Sequence, residues 1–172
     1  MTRILALDIS ANPGVAVLEV KRNKINIVHV DSIKTSTDDS DAARYHYIDA
    51  FLTKIIHEYG HFDYVTRENY TGSSRSKRAK QLVYGAWSTM DMSLGKYGYV
   101  IDEADEIPAS TIKKEVAGKG GASKGEVAEG VFKLFGIDDK SLYYTKNGKL
   151  IDDRTDAVAL GYTFAKKRGL IK

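Results

Sequence analysis

Cysteine is absent from the 172 residues, which excludes disulfides, thiolate catalysis and cysteine-held zinc or iron–sulfur centres. Proline occurs only twice, and no low-complexity tract, internal repeat or domain-sized linker divides the chain. Residues 1–172 are therefore expected to form one domain with its own core. No apolar run approaches the ~20 residues that a membrane helix needs. The opening Met1-Thr2-Arg3 leads straight into a strand-like segment, with no signal peptide before it. A cytoplasmic protein without a membrane partner is the expectation.

A large charge imbalance is also missing. Net charge is +3, too small to name a partner, but its distribution is uneven. Basic residues gather at Arg75, Lys77, Arg78 and Lys80, at Lys113, Lys114, Lys119 and Lys124, and at Lys166, Lys167, Arg168 and Lys172, while acids concentrate between Asp31 and Asp63. Such clustering suits either a polyanion-facing surface or an ordinary solvated one.

The hydrophobic pattern changes period along the chain. Residues 3–9, 14–20 and 24–33 read as three strands whose short connections imply an antiparallel meander. Ile48, Phe51, Leu52, Ile55, Ile56 and Tyr59 then form one helical stripe that Gly60 should stop. Residues 62–68 read as a fourth strand and 97–101 as a fifth. Between them runs a helix with core positions Leu82, Val83, Ala86, Trp87, Met90 and Leu94. Helices over 111–117 and 123–135 follow, the latter with Val127, Val131, Leu134 and Phe135 inward. Asn147-Gly148 marks a turn, and a last helix runs to about residue 168. The order is βββ-α-β-α-β-α-α-α, an α/β architecture.

Four carboxylates occupy mechanically equivalent places. Asp8 and Glu68 end the first and fourth strands, and a βαβ crossover would set those strand ends side by side. Asp153 and Asp156 lie three apart at the start of the last helix, on the face that Ala157, Leu160, Gly161 and Phe164 turn to the core. Like charges there need a cation between them; the alternative is that Asp152, Asp153 and Asp156 merely favour the helix dipole. A set of carboxylates without cysteine is a hard-oxygen site suited to magnesium or manganese. Two such ions ~3.5–4 Å apart are the machinery of phosphodiester cleavage.

The strand Ile4-Leu5-Ala6-Leu7-Asp8, the acid in Arg67-Glu68-Asn69-Tyr70, the run from Ile112 to Lys124 and Asp153-x-x-Asp156-Ala157-Val158-Ala159-Leu160 together resemble the RuvC family of Holliday junction resolvases. The resemblance spans essentially the whole chain, and its most specific part is the lysine-bearing run joined to the downstream D-x-x-D-A. It implies an RNase H-like fold with a five-stranded mixed sheet, three strands antiparallel and the others parallel, flanked by helices. It further implies a homodimeric endonuclease that nicks four-way DNA junctions, with other branched DNA as a further candidate substrate, using two magnesium or manganese ions in a bacterial or phage-infected cytoplasm. Asp8, Glu68, Asp153 and Asp156 would take the family's acidic positions, and Lys113 and Lys124 its two basic ones, with Lys124 catalytic. Lys114, Lys119, Arg75, Lys77, Arg78 and Lys80 would hold DNA. The family's aromatic residue three places after the second acid is here Thr71, with Tyr70 one earlier. Tyr70 and Tyr84 are the candidates for base stacking. The segment 141–150 is longer than the family's usual link. A non-cutting binder of branched DNA and a ribonuclease acting on RNA–DNA hybrids remain alternatives, and any branch-migration partner is open.

His57-Glu58-Tyr59-Gly60-His61 spells a zinc-protease signature. It requires both histidines on one helical face, and Gly60 should end the helix before His61.

Overall fold

A computed structural model of the chain describes residues 1–69 and 76–172. Strands β1 (Thr2–Asp8), β2 (Gly14–Lys21) and β3 (Lys24–Ser32) form the expected meander. Arg22 and Asn23 make the tight β2–β3 turn with φ of 52° and 62°, the backbone shape that a two-residue hairpin demands. Helix α1 (Asp41–Tyr59) begins where the Ser40 hydroxyl accepts the Ala43 amide and stops at Gly60. The chain returns as β4 (Tyr64–Asn69), parallel to β1. Helix α2 (Lys77–Lys96), strand β5 (Glu106–Pro108) and helices α3 (Ala109–Ala117), α4 (Lys124–Phe135) and α5 (Asp152–Lys167) complete it. The sheet order is β3-β2-β1-β4-β5.

Side-chain alternation sorts the core into two layers. Along β1, Ile4 and Ala6 face one way, into a cluster with Leu18, Val131, Val158 and Phe164 from β2, α4 and α5. Leu5 and Leu7 face the other, with Val17, Leu52, Ile55, Met90 and Leu94 from β2, α1 and α2. Both sheet faces are thus covered, which is why β1 reads as an unbroken apolar run. Gly161 lets α5 settle directly on the sheet, since a Cβ there would lie 1.9 Å from Leu18 Cδ1 and 3.1 Å from Ala6 Cβ.

Three expectations need correction. The fifth strand is not 97–101 but Glu106–Pro108. Tyr99 is held instead by its ring against Phe62 and by its hydroxyl, which accepts the Phe62 amide at 3.2 Å; aromatic packing outweighs strand propensity there. Ile107, fully buried, makes the true edge pairing. In α4 the buried stripe is Val127, Ala128, Val131 and Phe132, and Leu134 is exposed. The helix starts where expected, capped reciprocally by Ser123 and Glu126, and its buried face is set by packing against α5 and the sheet, where Phe132 meets Tyr143. In α2, Leu82 and Val83 are only half-buried, while Ser93 joins Ala86, Met90 and Leu94 in the interior.

Candidate active site

Parity along the two central strands places the first two acids. Tyr64 packs with the α5 layer and Val65 with the α1–α2 layer, so Glu68, an even position on β4, faces α5. Asp8, even on β1, does the same. Because Leu7 pairs with Arg67 across the parallel ladder, the next pair upward is Asp8 beside Glu68. The odd residue Arg67 turns to the opposite face, where it binds Asp91 at 2.6 Å and Glu106 at 2.8 Å and stacks on Trp87. Glu68 is therefore not neutralised by its sequence neighbour.

Helix α5 delivers the other pair. Gly14, opposite Asp8 in the sheet, lets its first turn close on the strand ends, for a Cβ there would stand 2.0 Å from the Asp153 carbonyl oxygen. Asp8, Glu68, Asp153 and Asp156 consequently line one cleft of about 400 Å³, together with Ile9, Ser10, Val83, Ile112, Lys113 and Lys124. No side chain caps α5, so Asp152 and Asp153 meet the positive end of the helix dipole directly. Asp152 and Asp153 stand in the first turn, and Asp153 and Asp156 face the cleft.

Every one of the four acids is harder to ionise than usual. Burial, then the charges of Asp156, Asp153 and Glu68, raises Asp8 well above the ordinary carboxylate range against the pull of Lys124. Asp156 is pushed up to about 6 by burial and by Glu68 and Asp153, again opposed by Lys124. Burial also raises Glu68, opposed by Lys113 and Lys124, and Asp153, opposed by Lys124 and Lys149. Lys124 thus acts on all four, although its ammonium is ion-paired with Asp152. Such a cleft has an unmet demand for positive charge, and its donors are all hard oxygen. Among the described residues the acids do not already converge as a closed cage of three or more ligands. They line the walls of an open cleft, an arrangement that leaves room for phosphate oxygens to complete a cation's shell. The donor set fits magnesium or manganese on those terms.

The basic residues separate into two groups. Lys113 lines the cleft and Lys114 lies exposed beside it on α3. Lys119 is paired with Glu126, and Arg78, on the first turn of α2, holds Asp41 through two hydrogen bonds. Lys77 and Lys80 accompany Arg78 on that turn. Tyr70, Thr71 and Arg75 lie outside the described residues. Lys166, Lys167 and Arg168 sit at the far end of α5, about 20 Å from its acidic start. Lys166 and Arg168 are engaged there by Glu115 and Asp105, so this third basic cluster does not belong to the cleft.

The zinc-protease signature dissolves as expected. His57 bonds Tyr97 at 2.9 Å and His61, beyond the helix, lies against Tyr99. Met90 belongs to the interior α1–α2 layer, and Trp87 packs half-buried against it. Sequence reasoning missed Gly14 as the residue that admits α5, and Lys149 as a charge acting on Asp153. A glycine opposite the catalytic strand end and a lysine four residues before Asp153 were the available signals.

Acids at the ends of adjacent parallel strands, faced by two more from a helix laid across the sheet, define a metal-dependent nuclease of the RNase H-like class. The family model for crossover junction endodeoxyribonuclease RuvC matches residues 4–163. A crossover junction endodeoxyribonuclease RuvC of Rickettsia bellii is 29% identical over 150 residues, 87% of each chain. Thermus thermophilus RuvC superposes with a TM-score of 0.75 at 21% identity over 99% of both chains. The same protein in complex with Holliday junction substrate gives 0.77 over 100% of this chain and 99% of that one. The chain belongs to the RuvC family and is a Holliday junction-cleaving endodeoxyribonuclease.

Proposed function

We propose that residues 1–172 act as one nuclease domain that pairs as a homodimer and nicks opposing strands of a four-way DNA junction, using two magnesium or manganese ions per site held by Asp8, Glu68, Asp153 and Asp156. The observation that carries the assignment is the meeting, in one cleft, of acids from β1, β4 and α5 with the Lys124 ammonium facing all of them. Bound ions would activate water on one side of the scissile phosphate and stabilise the leaving oxygen on the other. Lys124 exchanges Asp152 for the phosphate and offsets the charge that builds on it during cleavage. Lys113 and Lys114 hold the backbone beside the cut without reading sequence. Lys119 and Arg78 do so after releasing Glu126 and Asp41, Lys77 and Lys80 extend the same surface, and Arg75 and Tyr70 complete the proposed set of DNA contacts. Two symmetric cuts across a roughly two-fold junction ask for two sites related by a two-fold axis. Among the described residues no helix is long and apolar enough to cross a membrane, and the cytoplasm is the proposed location.

The test uses end-labelled four-way junction, flap, fork, duplex and RNA–DNA hybrid with magnesium, manganese or EDTA. Paired nicks on the junction that disappear with EDTA and with Asp8→Asn are expected. Binding without nicking, or preferential cutting of the hybrid, overturns the proposal.

A further inference from the structure

The segment 144–150 is built as a small rigid hairpin beside the acids. Tyr144 and Leu150 form an antiparallel bridge. The Thr145 amide donates to the Lys149 carbonyl at 2.8 Å, the Gly148 amide to the Thr145 carbonyl at 2.9 Å, and the Lys149 amide to the Thr145 hydroxyl at 3.0 Å. Gly148 supplies the positive φ, 73°, that the turn requires.

The base of the hairpin is tied to the start of α5. The Ile151 amide donates to the Tyr143 carbonyl at 2.8 Å. Arg154, between the two cleft aspartates, donates to the Leu142 carbonyl at 2.5 Å, to Asp31 at 2.7 Å and to Ser32 at 3.1 Å. Tyr143 is buried against Phe132. The hairpin therefore moves with Asp153.

What it presents is uncommitted positive charge. Lys146 and Lys149 are exposed, and neither is ion-paired with a described residue. Lys140, just before the hairpin, is held by Glu129 and lies over the Phe132 ring. Lys119 and Arg78 must break a pair before meeting a phosphate, whereas Lys146 and Lys149 need only shed counterions. Lys113 lines the cleft from α3, whereas Lys149 rides on the hairpin whose base is tied to the start of α5 next to Asp153, so the two lysines reach the acids from different elements.

We propose that this hairpin is a second backbone-gripping element, in which Lys146 and Lys149 hold DNA phosphates flanking the scissile one on the Asp153 side of the cleft. The inference rests on the junction-cutting assignment above. It is tested by measuring junction affinity against salt concentration for the full-length protein, K146A/K149A and K146R/K149R. A matched control is K21A/K24A, which removes the same charge from the β2–β3 turn at the opposite end of the sheet from Asp8.

The expected result is that K146A/K149A weakens binding about tenfold near physiological salt and lowers the slope of log K against log salt by about 1.8. The arginine pair should keep wild-type slope and affinity, and the control should change both little. An unchanged slope in K146A/K149A overturns the inference, as does an equal loss in K21A/K24A, which would mark a general charge effect. Wild-type protein that neither binds nor cuts the junction overturns the parent assignment and the inference with it; wild-type cutting with no hairpin effect overturns the inference alone.

Discussion

Asp8 ends a strand whose every preceding core residue is apolar, and it faces three other carboxylates. That placement destabilises the metal-free fold, a cost that a bound cation would offset. Asp156 has an ordinary value of 3.8 when unfolded and about 6 when folded, so between those values the folded chain holds the extra proton. Stability of the metal-free protein consequently falls as pH rises across that window and stays lower above it. Thermal melts in EDTA should give a higher Tm at pH 5 than at pH 7.5, and magnesium should raise Tm more at pH 7.5 than at pH 5. Asp8→Asn should abolish cutting and yet raise Tm in EDTA at pH 7.5; a lowered Tm would mean that the carboxylate is stabilised by partners inside the fold. Lys124→Ala should slow single-turnover cutting by 10²-fold or more while changing junction affinity by less than about threefold, because one phosphate contact among many is lost.

At the scale of elements, the site depends on how closely α5 approaches the sheet. Gly14 and Gly161 set that approach at two of its tightest contacts. Gly14→Ala should push the Asp153 carbonyl away and reduce metal-dependent cutting at least tenfold, with magnesium affinity by calorimetry falling in parallel. Gly161→Ala meets the fully buried Leu18 and should cost about 1–3 kcal/mol in urea unfolding, with a smaller effect on cutting per folded molecule. Arg154 fixes the rotation of the helix by gripping β3 and the 141–143 turn at once. Its alignment with Asp31 and Ser32, more than 120 residues away, was invisible in the local pattern.

Across the whole molecule, a net charge of +3 would suggest weak affinity for a polyanion. The arrangement makes the sum a poor guide. Much positive charge is spent on internal pairs such as Arg67 with Asp91 and Glu106, or at the far end of α5. Lys113 and Lys124, by contrast, line the acidic cleft itself. Light scattering should report twice the chain mass in dilute solution. A chain that remains monomeric with junction DNA would contradict the symmetric two-cut scheme.

The local pattern was enough to give the element order, the meander, the parallel return of β4 and the acids at two strand ends, because period and turn chemistry are written in neighbouring residues. It also carried the family resemblance, since D-x-x-D-A and the lysine run are short motifs. The pattern misplaced the fifth strand, where Tyr99 packing overrode propensity, and rotated the buried face of α4, which tertiary packing of Ala128 and Phe132 decides. Only the folded chain decided that Lys124 shares one cleft with all four acids, that Arg67 turns away from Glu68, and that the 144–150 hairpin shares a hydrogen-bonded base with Asp153. Those outcomes depend on contacts between segments tens to more than a hundred residues apart, whose geometry is set by packing and not by local sequence.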